Sequence, residues 1–513
     1  MCPARSVYIM ETISGIYCKR GTQPMSGWKC TITAIILTWS VLLVPDIGSR
    51  VYAVSWVDGT PYLHEEARFL AQVLGHDDAT MRAPSLAAPS RAAAYKVGDE
   101  REFYAIDLRS DAQYSLKASV RAVSDKAYIF VETGRPAASS KIKPLLDSFD
   151  GIYNAITEQF GPPPDSIDGD PRIYLLILDV VDGAQANGTR MLGYFSPINQ
   201  YRNSQLSRWT DRRSNEVEML YIDYISLDLG ADGAESVVAH EFTHLVQWAR
   251  DPEESIWVNE GIAVYAEAML GYEVNSRISA FEEKPDTPLL DWSDSLEDYG
   301  AAYLFFAYVS ERFGGPPAIA AIVKNRTQGT VGIERSLATL GKSISFHRLF
   351  SDWVIANYLD DPHLSDGIYG YSTLDIHLES SVVEARYPID HKTSTVKPWA
   401  ARYTEFEKGQ SDTLTLTVYE NNANDIAAQI IEFGDETDIS PIKSSNAQSG
   451  VALISQENDK VVLVVTSQPD PPDAKKNSSS YTYSAEIQAT AASVASTSGK
   501  KITTWGKIRS IGL

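Results

Sequence analysis

The sequence predicts a multidomain α+β protein: a central domain with a mixed-sheet lobe and a helical lobe, flanked by small antiparallel β modules. Three observations point there. Apolar residues recur at helical spacing over 141–160 and through most of 233–365. Nearly continuous apolar runs of strand length stand at 172–178 and 219–223. Short β-type runs separated by polar turns fill 97–132 and the stretch beyond Pro398. At 513 residues the chain exceeds a single hydrophobic core, so two to four domains are expected.

Residues 1–53 read as an export leader. Lys19, Arg20 and Lys29 precede an apolar run from Cys30 to Val44, and Val51-Tyr52-Ala53 offers a small-residue cleavage site. Either this leader is cleaved or it stays as an N-terminal anchor; the run is short for a spanning helix. All three cysteines lie within it, so a chain from Val54 has no disulfide, thiolate metal site or cysteine nucleophile. Beyond residue 53 stand 40 Lys/Arg against 65 Asp/Glu, a net of −25. That excess argues against nucleic acid or an anionic membrane surface as partner. The expectation is a secreted, cell-surface or periplasmic monomer, without membrane insertion once the leader is removed.

Residues 54–138 are expected to comprise a weakly structured approach, an Ala/Pro/Ser linker near 82–91 and a small antiparallel module (runs at 102–106, 114–120 and 127–131). The central domain is placed at 139–398. Its first helix carries Leu145, Leu146, Phe149, Ile152, Ile156 and Phe160 and ends at Gly161-Pro162. Two buried strands, 172–178 and 219–223, follow, with a Gly-rich loop between them. Helices are read over 234–250, 257–272, 299–313, 316–325 and 345–359. Five strands between 411 and 487 predict a β-sandwich over 399–490, and 491–513 reads as a mobile tail. An acidic turn at Asp165, Asp168 and Asp170 fits no calcium loop.

The chemistry-bearing stretch is His240-Glu241-Phe242-Thr243-His244. Positions i and i+4 of a helix share a face, so two neutral imidazoles can hold one ion while Glu241 serves as general base on an activated water. A catalytic site needs a third protein ligand and an open position. Downstream, Trp257-Val258-Asn259-Glu260-Gly261 opens a second apolar helix; fifteen residues separate His244 from Glu260, enough for an antiparallel return that would bring Glu260 to the histidines.

H-E-x-x-H followed by W-x-N-E-G-x-A-x-Y-x-E resembles the gluzincins, a zincin-like group of zinc peptidases. The aminopeptidase-type members share the second motif with a longer spacer, and the texture over about 140–380 is closer to the hyicolysin-like secreted bacterial peptidases. The resemblance implies Zn2+ held by His240, His244 and Glu260, with Glu241 as base. Glu267, seven residues beyond Glu260, matches a family acid that orients a ligand histidine; otherwise it is an exposed helix carboxylate. Tyr299, at the start of an aromatic helix, matches the transition-state hydrogen-bond donor, with Tyr303 in reserve; otherwise both are core aromatics. The G-A-M-E-N segment that holds a substrate amine in the aminopeptidases does not occur, and the stretch around the expected edge strand reads 214–220 instead. Internal cleavage of a peptide or protein substrate is therefore expected. An aminopeptidase-like exopeptidase and a non-catalytic surface protein that retains the fold are the alternatives.

Overall fold

The computed structural model describes residues 56–75, 94–182, 190–228, 233–407, 412–420, 425–434, 437–442, 444–446, 449–454, 460–472 and 477–489. The leader, the linker near 82–91 and the tail at 491–513 lie outside the described residues. The protein is a multidomain α+β structure of mixed and antiparallel sheets with a helical region.

Strand β1 (Trp56–Val57) is followed by a 3-10 turn and helix α1 (His64–Leu74). Strands β2 (Glu100–Asp107), β3 (Ala112–Val123) and β4 (Ala127–Glu132) form an antiparallel meander. Helix α2 (Ser139–Phe160) then crosses over to β5 (Ile173–Leu178). Two short strands, β6 (Arg190–Met191) and β7 (Gly193–Phe195), precede β8 (Met219–Asp223). The resulting six-stranded sheet has the order β2-β3-β4-β5-β8-β7. β4, β5 and β8 run parallel, which explains why β5 is buried at all six residues.

Two expectations are corrected here. The N-terminal strands are not a separate module, because β4 pairs in parallel with β5 and carries the meander into the central sheet. The stretch at 214–220 does not form the edge either. It leads into β8, an interior strand, and the edge is β7, which folds back antiparallel on β8.

Helix α3 (Gly233–Trp248) packs beneath this edge and is buried on nearly all sides. Gly193 sets the spacing: a Cβ there would stand 2.8 Å from Val237 Cγ1 and 2.9 Å from Glu241 Oε1. The helical lobe follows as α4 (Ile256–Met269), α5 (Asn275–Glu283), α6 (Leu296–Phe313), α7 (Pro316–Lys324), α8 (Gly329–Thr339) and α9 (Phe346–Leu359). α5 and α8 are helices the periodicity did not announce.

Two five-stranded sheets complete the described chain. Strands β9 (Val382–Glu384), β11 (Ala401–Glu407), β13 (Ile426–Phe433), β14 (Asp438–Pro441) and β17 (Lys460–Ser467) form one of them. β10 (Ile389–Val396), β12 (Asp412–Glu420), β15 (Ser444–Asn446), β16 (Ser449–Ile454) and β18 (Ser479–Ala489) form the other. Phe406, Leu414, Leu416, Val461, Leu463 and Tyr483 fill the core between them. β9 and β10 begin this sandwich upstream of residue 399. Among the described residues no helix is long and apolar enough to cross a membrane.

The approach segment is also ordered, contrary to expectation, from Trp56 to Gly75. Leu63, Ala67, Leu70 and Ala71 recur at helical spacing and are buried, so α1 docks by an apolar stripe. Exposed Glu65 and half-buried Arg68 between them mask that stripe in the sequence.

Candidate metal centre

One turn of α3 separates His240 from His244, and their ring centroids lie 4.7 Å apart. After the turn at 249–255, α4 returns Glu260 to them. Glu260 Oε2 lies 3.2 Å from His240 Nε2, and its Oε1 lies 3.4 Å from His244 Nε2. A fourth group was not foreseen. Asp58 Oδ2, just after β1, lies 3.1 Å from His244 Nε2 and 3.6 Å from His240 Nε2. These four residues are all buried, and one ligand atom from each fits within 4.8 Å of the others.

The donor set fits a metal. Ligands about 2.0–2.1 Å from a shared tetrahedral ion stand about 3.3 Å apart, close to the separations above. Hydrogen bonds among the four do not account for the cluster, since each Nε2 faces two carboxylates and one N–H cannot serve both well. The other ring nitrogens are already engaged. His240 Nδ1 lies 2.7 Å from Glu267 Oε1; a carboxylate only accepts, so the proton sits on Nδ1. His244 Nδ1 donates to Gln247 Oε1 at 3.1 Å, while Gln247 Nε2 donates to Asn259 O and so fixes the amide's orientation. In the neutral imidazoles, the form that binds a metal, both Nε2 lone pairs therefore point to the common centre. Two imidazoles with carboxylates suit zinc well.

The charge balance agrees. Burial opposes charge on both histidines, but Asp58, Glu260 and Glu267 outweigh it for His240 and hold its pKa well above the usual range. His244 is pushed up to about 10, with burial opposing and Glu260 and Asp58 raising it. Burial likewise opposes ionisation of Asp58, yet the two imidazoles hold it below its ordinary value. The pocket is built to attract positive charge.

Around this centre, Glu267 is wholly buried rather than exposed. It accepts from Ser236 Oγ at 2.5 Å and Arg277 Nη1 at 3.1 Å as well as facing His240. Glu241 is buried beside the ligands; Thr60 Oγ1 donates to its Oε2 at 3.1 Å, and its Oε1 has no hydrogen-bond partner among the described residues. Burial first, then Asp58, pushes its pKa well up. Tyr299 reaches the centre with its ring 6.4 Å from that of His240. Its hydroxyl donates to Asp294 Oδ1 at 2.9 Å and accepts from the Asp58 amide at 3.2 Å. Tyr303 instead packs into the helical core. Next to Asp294 opens a cavity of about 870 Å³, walled by Trp257, Trp292, Trp399 and the N-terminal Tyr62. Asp58, Thr60, Arg277 and Asp294 escaped the sequence reading, since none stands in a motif or at a ligand spacing.

These elements make a buried group fit to bind a metal, with the Glu241 carboxylate beside it. The chain is 25% identical over 237 residues to the neutral metalloprotease ShpI of Staphylococcus hyicus. The match covers 42% of this chain, and the chain spans about half (52%) of that protease's length. No family model matches. Among solved structures, a functionally unknown conserved protein from Bacillus anthracis str. Ames aligns with 67% of this chain and 71% of its own, at 9% identity and a TM-score of 0.27. The pre-peptidase C-terminal domain of a collagenase from Bacillus anthracis aligns with 20% of this chain and 94% of its own, at 9% identity and a TM-score of 0.17. The protein is thus a distant relative of a metalloprotease.

Proposed function

We propose that the chain is an exported zinc metalloendopeptidase of the gluzincin type, its leader at 1–53 serving export. The observation that carries this reading is the convergence of His240 Nε2, His244 Nε2 and Glu260 on one point beside Glu241, with both Nδ1 atoms engaged elsewhere. Zinc, when bound, lowers the pKa of water and polarises a carbonyl. His240, His244 and Glu260 would hold it. Glu241 takes the proton from the attacking water and returns it to the leaving amine. The Tyr299 hydroxyl, oriented by Asp294, donates to the carbonyl oxygen as charge develops there. Glu267 fixes the tautomer of His240. An extended peptide adds to the sheet edge at β7. No acidic residue occurs between Arg190 and Phe195 to hold a substrate amine, which supports internal cleavage.

The test is metal analysis together with hydrolysis of casein and of N-blocked peptides by wild type and Glu241→Gln. Stoichiometric zinc in both proteins, with activity at least a hundredfold lower in Glu241→Gln, is expected. A zinc-free wild type or a fully active Glu241→Gln would sink the reading. Cleavage confined to peptides with a free amine would make the enzyme an exopeptidase.

A further inference from the structure

We infer that residues 56–75 are a built-in inhibitor of this site, with Asp58 as the fourth protein ligand closing the position that a water must occupy. The inference rests on the zinc-peptidase reading above and deepens it. A catalytic zinc keeps three protein ligands and one open position, whereas four protein ligands make the closed arrangement of structural sites. Asp58 is fully buried, and its Oδ2 stands as close to the two Nε2 atoms as Glu260 does.

The same short segment engages the other functional groups. The Asp58 amide donates to the Tyr299 hydroxyl at 3.2 Å, and Thr60 Oγ1 donates to Glu241 Oε2 at 3.1 Å. It also covers the substrate-binding edge. Trp56 and Val57 pair in parallel with Arg190 and Met191, the Gly59 amide donates to Gly193 O at 3.0 Å, and the Phe195 amide donates to Thr60 Oγ1 at 2.9 Å. A sheet edge accepts one extended chain, so a peptide cannot add there while 56–60 remain.

The segment is also separable from the fold it blocks. Among the described residues β1 pairs only with β6, outside the six-stranded sheet, and Leu63 and Leu70 are the segment's side chains that join the central core. Beyond the contacts of 56–60 just described, it is held by the apolar stripe of α1, an ion pair from Glu66 to Arg212, and a contact of 2.8 Å between His64 Nε2 and Glu254 O. Full activity therefore requires this segment to leave the cleft.

The experiment uses the zinc-loaded full chain and acetohydroxamate, which binds zinc through open coordination positions. Calorimetric affinity for the hydroxamate and casein hydrolysis are measured for wild type, Asp58→Ala and Gly59→Val. The second variant leaves every ligand in place. Its new side chain would begin 2.9 Å from Leu108 Cδ1 and 3.0 Å from Tyr194 Cβ, so it pushes the segment off the edge. Both variants are expected to bind hydroxamate at least tenfold tighter than wild type and to hydrolyse casein at least tenfold faster. Asp58→Ala should also surrender zinc to a chelator more readily. Zinc-loaded variants that bind hydroxamate no tighter than wild type overturn the inference, and a wild type whose activity depends on Glu241 then leaves the peptidase reading standing. Tighter hydroxamate binding without hydrolysis in any chain upholds the closing ligand and sinks the peptidase. Should neither variant fold, Thr60→Ala is the remaining arm, since it loosens the segment without changing a ligand: faster loss of zinc to a chelator than from wild type is expected, and an unchanged rate counts against the inference.

Discussion

Replacing Glu267 by Gln tests whether the groups behind the ligands tune the metal site. The Glu267 carboxylate holds the Nδ1 proton of His240 at 2.7 Å and pairs with Arg277 at 3.1 Å, all in a fully buried setting. Outer partners of ligand histidines are worth about 10–100-fold in metal affinity, or about 1.4–2.8 kcal/mol. Glu267→Gln should weaken zinc by that factor in chelator competition. The same change takes from Arg277 the carboxylate it pairs with, and breaking a buried pair from one side costs about 3–5 kcal/mol of stability. The two effects separate in a double variant. Glu267→Gln/Arg277→Met removes the pair from both sides, so urea unfolding should recover most of the stability while zinc affinity stays low. A single variant that binds zinc within twofold of wild type would refute the reasoning, as would a double variant in which affinity and stability return together.

Two further outcomes follow from the same contacts. Tyr299→Phe removes the hydroxyl that meets Asp294 and the Asp58 amide, and kcat should fall about 10²–10³-fold with zinc content unchanged; a full-rate variant would return Tyr299 to the core aromatics. Glu254, which is not a member of the metal cluster, carries the pH prediction. Burial, which outweighs hydrogen bonds from the Gly329 and Ser255 amides, raises its pKa from 4.5 to about 7. The folded state therefore holds the proton more tightly, so this stability is complete below about pH 4.5 and is lost as pH rises through 7. The amount is on the order of 3 kcal/mol. Urea unfolding between pH 5 and 8 should show a shallower decline in Glu254→Gln, and equal slopes would contradict the assignment.

What the sequence disclosed follows from how local each feature is. His240, His244 and Glu260 sit on two consecutive helices, where the chain's own period points side chains at one another across a short turn. β5 and β8 announced themselves because parallel strands buried on both faces need unbroken apolar runs. β7 has only three residues and starts with a glycine, so its role as sheet edge depends on packing against Val237 and Glu241 rather than on any pattern. The meander β2-β3-β4 looked self-contained because hairpins are local, whereas its parallel join to β5 is made across α2. Asp58 is the extreme case. Its partners lie 186 residues away at His244 and 241 residues away at Tyr299, and nothing near it in the chain shares its task. A ligand that belongs to the enzyme's working parts is held in register by the helix that bears it. A carboxylate delivered by a strand of two residues, outside the main sheet, depends on partners far away in the chain, and the same remoteness that hides it from pattern reading lets it leave without unwinding the helices that bear His240, His244 and Glu260.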